Sequence, residues 1–359
     1  MNEKPFVSII IPFYNTPKKE FRRCIKSIIE QTNGDFEVIV VNDGSKKEYA
    51  DVLKKVTESD ERIRLINKIN EGSAVARNIG IREANGDYIM FVDSDDVITR
   101  FCLEEAAKIV EISNPDLIIG GCRKFSGFEI DSVNYKRKSK PRYIKVVSSE
   151  KRNALMTHMV GNIDESFSLN GCYVADGPVA RVLRKSIAKE SFFSNENMWN
   201  DDTVWNTKML KKCESIVIID ELWYKYLIYP NSKTRKYRQN CQYEFEYRTK
   251  QEIDLFKEHW PDCMEGIYTR VFNDIVLLCR TFLFHPDNPR SMREKYQIYK
   301  SCVHTEAYRE ALCGVNLKRE KRIVNRLVKE LLRFTAYYGP HIISYWILWS
   351  FYNLRKNQL

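Results

Sequence analysis

Tyr88-Ile89-Met90-Phe91-Val92-Asp93-Ser94-Asp95-Asp96 is a run of bulky apolar residues that ends at once in three aspartates around one serine. Tyr88 to Val92 reads as a strand buried on both faces, because aromatic and β-branched side chains suit a covered, pleated surface. Asp93 to Asp96 then stand at its carboxyl end, the edge of an open α/β sheet where ligands bind. Like charges crowd unfavourably unless something neutralises them. The cluster therefore points to a divalent cation held by carboxylates. The competing reading is an acidic helix start, with Ser94 or Asp95 as N-cap of a helix that continues through Phe101 to Val110.

Working outward, the chain has the signs of an alternating fold. Phe6 to Pro12 (FVSIIIP) is an apolar run closed by a proline, the mark of a first buried strand. Between Glu20 and Gln31, Phe21, Cys24, Ile25, Ile28 and Ile29 recur at helical spacing. Phe36 to Val41 is a second strand, Tyr49 to Ser59 a helix, Ile63 to Asn67 a short strand and Ala74 to Ala84 a helix. Alternation of this kind predicts a doubly wound, mostly parallel sheet flanked by helices.

A chain of 359 residues is long for one domain, and 43% hydrophobic with 30% charged residues is the balance of a folded, water-soluble protein. The start, MNEKPFVSIIIPFYN, enters a strand pattern and offers no small-residue cleavage site, so no signal peptide is expected. The ten cysteines are scattered with no CxxC pair, which argues for reduced, buried thiols in a cytoplasmic setting and against a disulfide framework or zinc site. The net charge of +10 is uneven: Lys318 to Arg333 holds seven basic residues against two acidic, half of the whole excess.

The first strand is not followed by a glycine-rich phosphate loop. Pro12, Phe13, Tyr14 and Asn15 occupy that place, and no GxxxxGK[ST] occurs anywhere. What stands at successive strand ends is instead Pro12 and Tyr14, then Asp43, then Asn70 to Arg77, then Asp93 to Asp96. A ring can stack on a base, a carboxylate can accept the N3 proton of uracil, an arginine can pair with carboxylate or phosphate, and aspartates can carry a metal. Together these are the parts of a nucleotide-diphosphate pocket.

The stretches VSIIIPFYN, EVIVVNDGS and NEGSAVARNIGIREANGDYIMFVDSDD resemble the signature blocks of the family 2 glycosyltransferases, inverting enzymes of the GT-A fold that use nucleotide-sugar donors. The resemblance covers about Pro5 to Phe125, with the blocks in the family's order and spacing. It implies that Pro12 and Tyr14 line the base, that Asp43 binds uracil, and that Arg77 supports the nucleotide and the acidic cluster, with Asn70 nearby. It further implies that Asp93 and Ser94 lie on the nucleotide side and that Asp93 and Asp95 form a DxD motif for Mn²⁺ or Mg²⁺.

Leu117 to Cys122 is another apolar strand, and Phe125 to Lys145 reads as a polar loop or an acceptor-binding flap. GPVARVLRKSIAKE resembles the family's block in which an acceptor-side strand runs into a helix. WNDDTVWNTKML resembles its acidic-pair block, with Asp201 and Asp202 as the pair and Trp205 in the aromatic place. An inverting transferase needs one base for the acceptor hydroxyl. Asp202 is that candidate, and Asp201 its neighbour; the alternative is an acidic N-terminus of a helix from Thr203 to Lys211. ELWYKYLIYPNSKTRKYRQN resembles a closing strand and a basic loop, in which Ser232, Lys233 and Arg235 would reach the diphosphate.

The expected organisation is a GT-A catalytic domain over 1–240 (a nucleotide-sugar half 1–125 and an acceptor half 126–240), a helical bundle over 241–317, and a basic, aromatic-rich tail over 318–359. The tail is too short in its apolar run to cross a bilayer, and its composition suggests either attachment to an anionic inner leaflet or packing against the bundle or a second copy in a homo-oligomer. The resulting expectation is a metal-dependent, cytoplasmic, membrane-peripheral transferase that moves a sugar from a UDP-sugar to a glycan or lipid-linked oligosaccharide in cell-surface polysaccharide biosynthesis. Two other classes remain at this stage: a non-catalytic nucleotide-sugar scaffold, and a nucleic-acid-binding protein, against which stands the lack of any nucleic-acid module.

Overall fold

The computed structural model describes residues 4–126, 140–161, 165–169, 171–194, 201–228, 237–239, 241–317 and 323–355. Contacts divide the chain into two compact units, one of residues 1–152 and 165–228, the other of residues 153–164 and 229–359.

The first unit begins with β1 (Val7–Phe13), α1 (Lys18–Ile29), β2 (Phe36–Asp43), α2 (Ala50–Thr57), β3 (Ile63–Lys68), α3 (Ser73–Glu83) and β4 (Tyr88–Phe91). It continues with β5 (Val97–Ile98), α4 (Cys102–Ser113), β6 (Leu117–Ser126), β7 (Tyr143–Val146) and the start of α5 (Ser149–Gly161). After the break come β8 (Arg181–Arg184), α6 (Lys185–Lys189), α7 (Asp201–Lys212) and β9 (Ile216–Ile228). The strands form one sheet in the order β3-β2-β1-β4-β8-β6-β9-β5, with β7 also on β9.

The β3-β2-β1-β4 half is parallel, with Val7 opposite both Phe36 and Tyr88. From β1 the chain winds outward through β2 and β3, then returns across β1 to β4. That reversal is the switch point at which an open α/β sheet leaves a crevice at its carboxyl edge. Strands β4 and β8 pair antiparallel, as do β8 and β6, so β4 is an inner strand and all four of its residues are buried. Helix α1 lies on the sheet through Phe21, Cys24, Ile25 and Ile28, spaced to share one face.

Two local expectations are corrected. The segment after Asp96 is not a helix start: β5 intervenes and α4 begins only at Cys102, so neither Ser94 nor Asp95 caps it. Lys145 and its neighbours are not loop but the edge strand β7, whose exposed alternation hides it among polar residues. Residues 127–139 of the expected flap lie outside the described residues.

The second unit is helical: the C-terminal part of α5, then α8 (Cys241–His259), α9 (Met264–Leu278), α10 (Met292–His304), α11 (Glu306–Gly314), α12 (Ile323–Tyr338) and α13 (His341–Arg355). A π-turn, Cys279–Leu283, extends α9. Helix α5 meets α9 at two glycines, where a Cβ on Gly161 would stand 2.9 Å from Gly266 Cα. The last two helices belong to this unit: α13 packs on α10, where the buried Tyr299 hydroxyl donates to Ser344 Oγ at 2.6 Å.

Candidate active site

The carboxyl ends of β1, β2 and β4 are tied to one another by their own loops. Asn15, held at φ 50°, accepts the Lys46 amide through Oδ1 at 2.9 Å, and its own amide donates to Ser45 Oγ at 3.0 Å. Gly44 has φ +67°, and a Cβ there would stand 2.6 Å from the Asn70 amide nitrogen, so the β2 loop admits only glycine at that close approach. Tyr14 projects from this rim with its side chain half exposed. Pro12 is partly covered within β1.

Asp43 is already engaged. Its carboxylate accepts the Glu71 amide on Oδ1 and the Gly72 amide on Oδ2, each at 2.9 Å, and Lys68 Nζ also donates to Oδ1. Asn70 Nδ2 donates to the Asp43 carbonyl at 2.9 Å. Asp43 thus fixes the turn that leads into α3.

That turn sets Arg77, one helical turn on and buried. Its Nη2 donates to Asp93 Oδ1 at 2.9 Å, and its Nη1 lies 4.0 Å from Asp202 Oδ1. Burial opposes the guanidinium charge, but Asp93 and Asp202 outweigh it and hold its pKa above the ordinary arginine value. The end of β4 and the start of α7 therefore meet on one cation.

The acidic cluster divides its labour. Asp96 is fully buried: Tyr224 Oη donates to its Oδ2 at 2.7 Å and the Leu227 amide to its Oδ1 at 2.7 Å. The same Tyr224 oxygen accepts the Asp93 amide at 3.0 Å. Ser94 is buried and shares a hydrogen bond with Thr16 of the β1 loop. Asp93 and Asp95 keep partly exposed side chains. Burial and the charge of Asp93 push Asp95 up to about 6.

Among the described residues no group of three or more His, Cys, Asp or Glu side chains is arranged to hold a metal alone. The donor set nevertheless fits a hard divalent cation, which is commonly carried by one or two carboxylates while substrate phosphates and water complete its shell. Burial and the charge of Asp93, which raise the Asp95 carboxyl, both penalise its charged form, and such a cation relieves that penalty.

Asp202 lies in the first turn of α7 with its side chain 46% exposed. Its pKa is raised by burial of the surrounding site, opposed by Arg77 and reinforced by Asp93 and Asp176. Gly177 passes so close that a Cβ there would stand 3.4 Å from Asp202 Oδ2. Helix α7 is seated by Trp205, fully buried and stacked on Phe193 with ring centroids 4.8 Å apart. The side chain of Asp201 lies outside the described residues, as do Ser232, Lys233 and Arg235.

Sequence reasoning missed three residues here. Arg181, a charge at the start of β8, is buried and donates to Asn206 of α7 and to the Ala175 carbonyl at 2.6 Å, tying β8 to the helix that carries Asp202. Burial lowers its pKa to about 10. Tyr224 and Tyr226 alternate on β9. Tyr226 is 36% exposed, and its phenol is pushed up by burial and by Asp96, Asp93 and Asp95. The alternation of WYKY was the available signal, but nothing in it names a partner.

Known proteins resemble the chain in sequence and in fold. The family model described as glycosyl transferase family 2 matches residues 8–170. EpsJ of Bacillus subtilis (strain 168), named an uncharacterized glycosyltransferase, is 27% identical over 345 residues, covering 92% of this chain and 94% of EpsJ. A glycosyltransferase of Rickettsia bellii (strain RML369-C), also named uncharacterized, is 44% identical, but over 108 residues, 30% of this chain and 15% of the relative. Among solved structures, S. aureus TarS in complex with UDP-GlcNAc superposes with a TM-score of 0.60 at 16% identity, covering 92% of this chain and 90% of that one. No helix among the described residues is long and apolar enough to cross a membrane. With a match that runs from β1 past the acidic cluster and a sheet that carries it, residues 8–170 form a family 2 glycosyltransferase domain.

Proposed function

We propose that the protein is an inverting transferase that moves a sugar from a UDP-sugar to a glycan or lipid-linked oligosaccharide, in cell-surface polysaccharide assembly at the inner face of the membrane. The observation that carries this reading is the Arg77 bridge, with Asp93 at 2.9 Å on one side and Asp202 at 4.0 Å on the other. Inversion requires a leaving diphosphate on one side of the anomeric carbon and a base on the other, and this guanidinium ties one carboxylate of each kind together.

Asp202 takes the proton of the acceptor hydroxyl as its oxygen attacks. Its raised pKa makes it a stronger base than an ordinary aspartate, and its exposure admits the acceptor. Arg77 fixes the carboxylate without sealing it. Tyr14 stacks on uracil, and the Asp43-braced loop borders the base. Asp93 and Asp95 would hold Mn²⁺ or Mg²⁺ against the diphosphate. When bound, that ion supplies Lewis-acid stabilisation of the leaving UDP. Support for the donor comes from TarS, a neighbour of like fold solved with UDP and with UDP-GlcNAc. Support for the location comes from the basic, aromatic tail.

The test is hydrolysis of purified UDP-, GDP- and dTDP-sugars with Mn²⁺, run beside Asp202→Asn. Turnover of a UDP-sugar that the substitution abolishes with UDP binding kept is expected. UDP binding without turnover of any donor or acceptor, unchanged in the variant, would indicate a scaffold instead.

A further inference from the structure

The last two helices of the chain leave an apolar face in water. On α12, Leu327, Leu331, Phe334 and Tyr338 recur at intervals of four, three and four residues and so share one face, with exposures from 48% to 73%. The buried side of the same helix is elsewhere, at Leu332, Thr335 and Ala336. On α13, Ile342, Trp346 and Trp349 are exposed while Ser344, Tyr345 and Leu348 are buried. The exposed rings cluster: Phe334 and Tyr338 have centroids 5.1 Å apart, Trp346 and Trp349 5.2 Å apart. The two helices pack against each other, so the stripes belong to one hairpin. Exposed apolar stripes of this kind on a folded unit mark a surface with a partner.

We propose that this face of the α12–α13 hairpin is the surface by which the chain sits on an anionic lipid bilayer. The proposal rests on the membrane-peripheral reading above and names the side chains that perform it. Charge decides the occupant. Lys318 to Arg333 carries seven basic residues against two acidic, and helical spacing sets Arg326 and Arg333 on the flank of the Leu327–Tyr338 stripe. The one acidic residue described within α12, Glu330, is itself paired with Arg333 at 2.8 Å. A second copy docked face to face would bring two such basic flanks together. An anionic surface meets them with opposite charge, and tryptophan and tyrosine suit the headgroup depth.

The experiment is co-sedimentation of the full chain with vesicles of phosphatidylcholine, with and without phosphatidylglycerol, over a salt series. Binding is expected to need phosphatidylglycerol and to weaken with salt. Arg326→Gln should lower the partition coefficient about fivefold. Leu331→Ser with Phe334→Ser, at exposed positions, should lower it at least about tenfold with thermal melting and donor hydrolysis unchanged. If those serine variants still bind like the unmodified chain, this face is wrong and the membrane reading stands. If the unmodified chain ignores both vesicle types, both fail. If size exclusion shows a dimer that the serine variants abolish, a second copy covers the stripe and the proposal is overturned.

Discussion

Tyr224→Phe removes one oxygen that serves two parts of the site. Its hydroxyl donates to the buried Asp96 at 2.7 Å and accepts the Asp93 amide at 3.0 Å, so it links β9 to the acidic turn after β4. Losing a hydrogen bond to a buried carboxyl costs about 1.5–3 kcal/mol, and leaving the Asp93 amide without an acceptor adds about 1–3 kcal/mol. The loss is therefore about 2.5–6 kcal/mol, since phenylalanine fills the ring's place and leaves no large cavity. At about 2–4 °C per kcal/mol for a unit of this size, Tm should fall by roughly 5–24 °C. The measurement is thermal unfolding by near-UV circular dichroism in EDTA, so that no cation masks the effect, followed by UDP calorimetry with Mn²⁺ at a temperature where the variant is folded. UDP affinity should fall about tenfold, because Asp93 and Asp95 are no longer held in one geometry. Tyr243→Phe, at an exposed position in the helical unit, should change Tm by no more than about 1–2 °C. If Tyr224→Phe melts like the unmodified chain and binds UDP equally well, the hydroxyl is not the strut described here.

Asp95→Ala should keep the fold and lose most Mn²⁺-dependent UDP affinity; equal affinity with and without EDTA in the unmodified chain would remove the metal assignment. Asp202→Asn should bind donor almost normally and lose about 10²- to 10⁴-fold in turnover, with Asp201→Asn less affected, and the reverse order would move the base to Asp201. Protons compete with the cation at Asp95, so UDP–Mn²⁺ affinity should decline as pH falls through about 6. The folded pKa of this group lies above that of an unfolded aspartate, so without cation its ionisation destabilises the fold, and the EDTA-treated protein should gain stability as pH falls from above about 6. A melting temperature flat from pH 7.5 to 5 in both Asp95→Ala and the unmodified chain would contradict this.

The parts of the fold that were legible are those where burial and chemistry coincide in consecutive residues. Strands β1, β2 and β4 are covered on both faces, so they read as unbroken apolar runs, and each ends in the polar residues its position demands. Edge strand β7 has no such run, because a half-exposed strand pairs its polar side chains with water. Helices α10 and α11 are separated by Thr305 alone, so no stretch of loop residues marks the boundary between them. Within the site, type of residue was readable and role was not. Asp43 and Asp96 look from sequence like two more acids at strand ends, yet both spend their oxygens on backbone amides and neighbouring side chains. The partner that occupies Asp96 is Tyr224, 128 residues away, and no local pattern records such a distance.

That division of labour has a mechanical consequence. A turn carrying three carboxylates is unstable by itself, because each raises the others. Here Arg77 neutralises Asp93 from the α3 side while Tyr224 and the Leu227 amide hold Asp96 from β9. Burial and the charge of Asp93 hold the proton of Asp95 up to about 6, and burial with the charges of Asp93 and Asp95 raises Asp96 well above the ordinary carboxylate range. The repulsion of the turn thus falls on both Asp95 and Asp96, and of the two only Asp95 is exposed enough to meet a cation. A cation that binds there gains the relief of that repulsion as well as its own coordination, so the apo turn is preorganised by its fixed acids and poised by its free one.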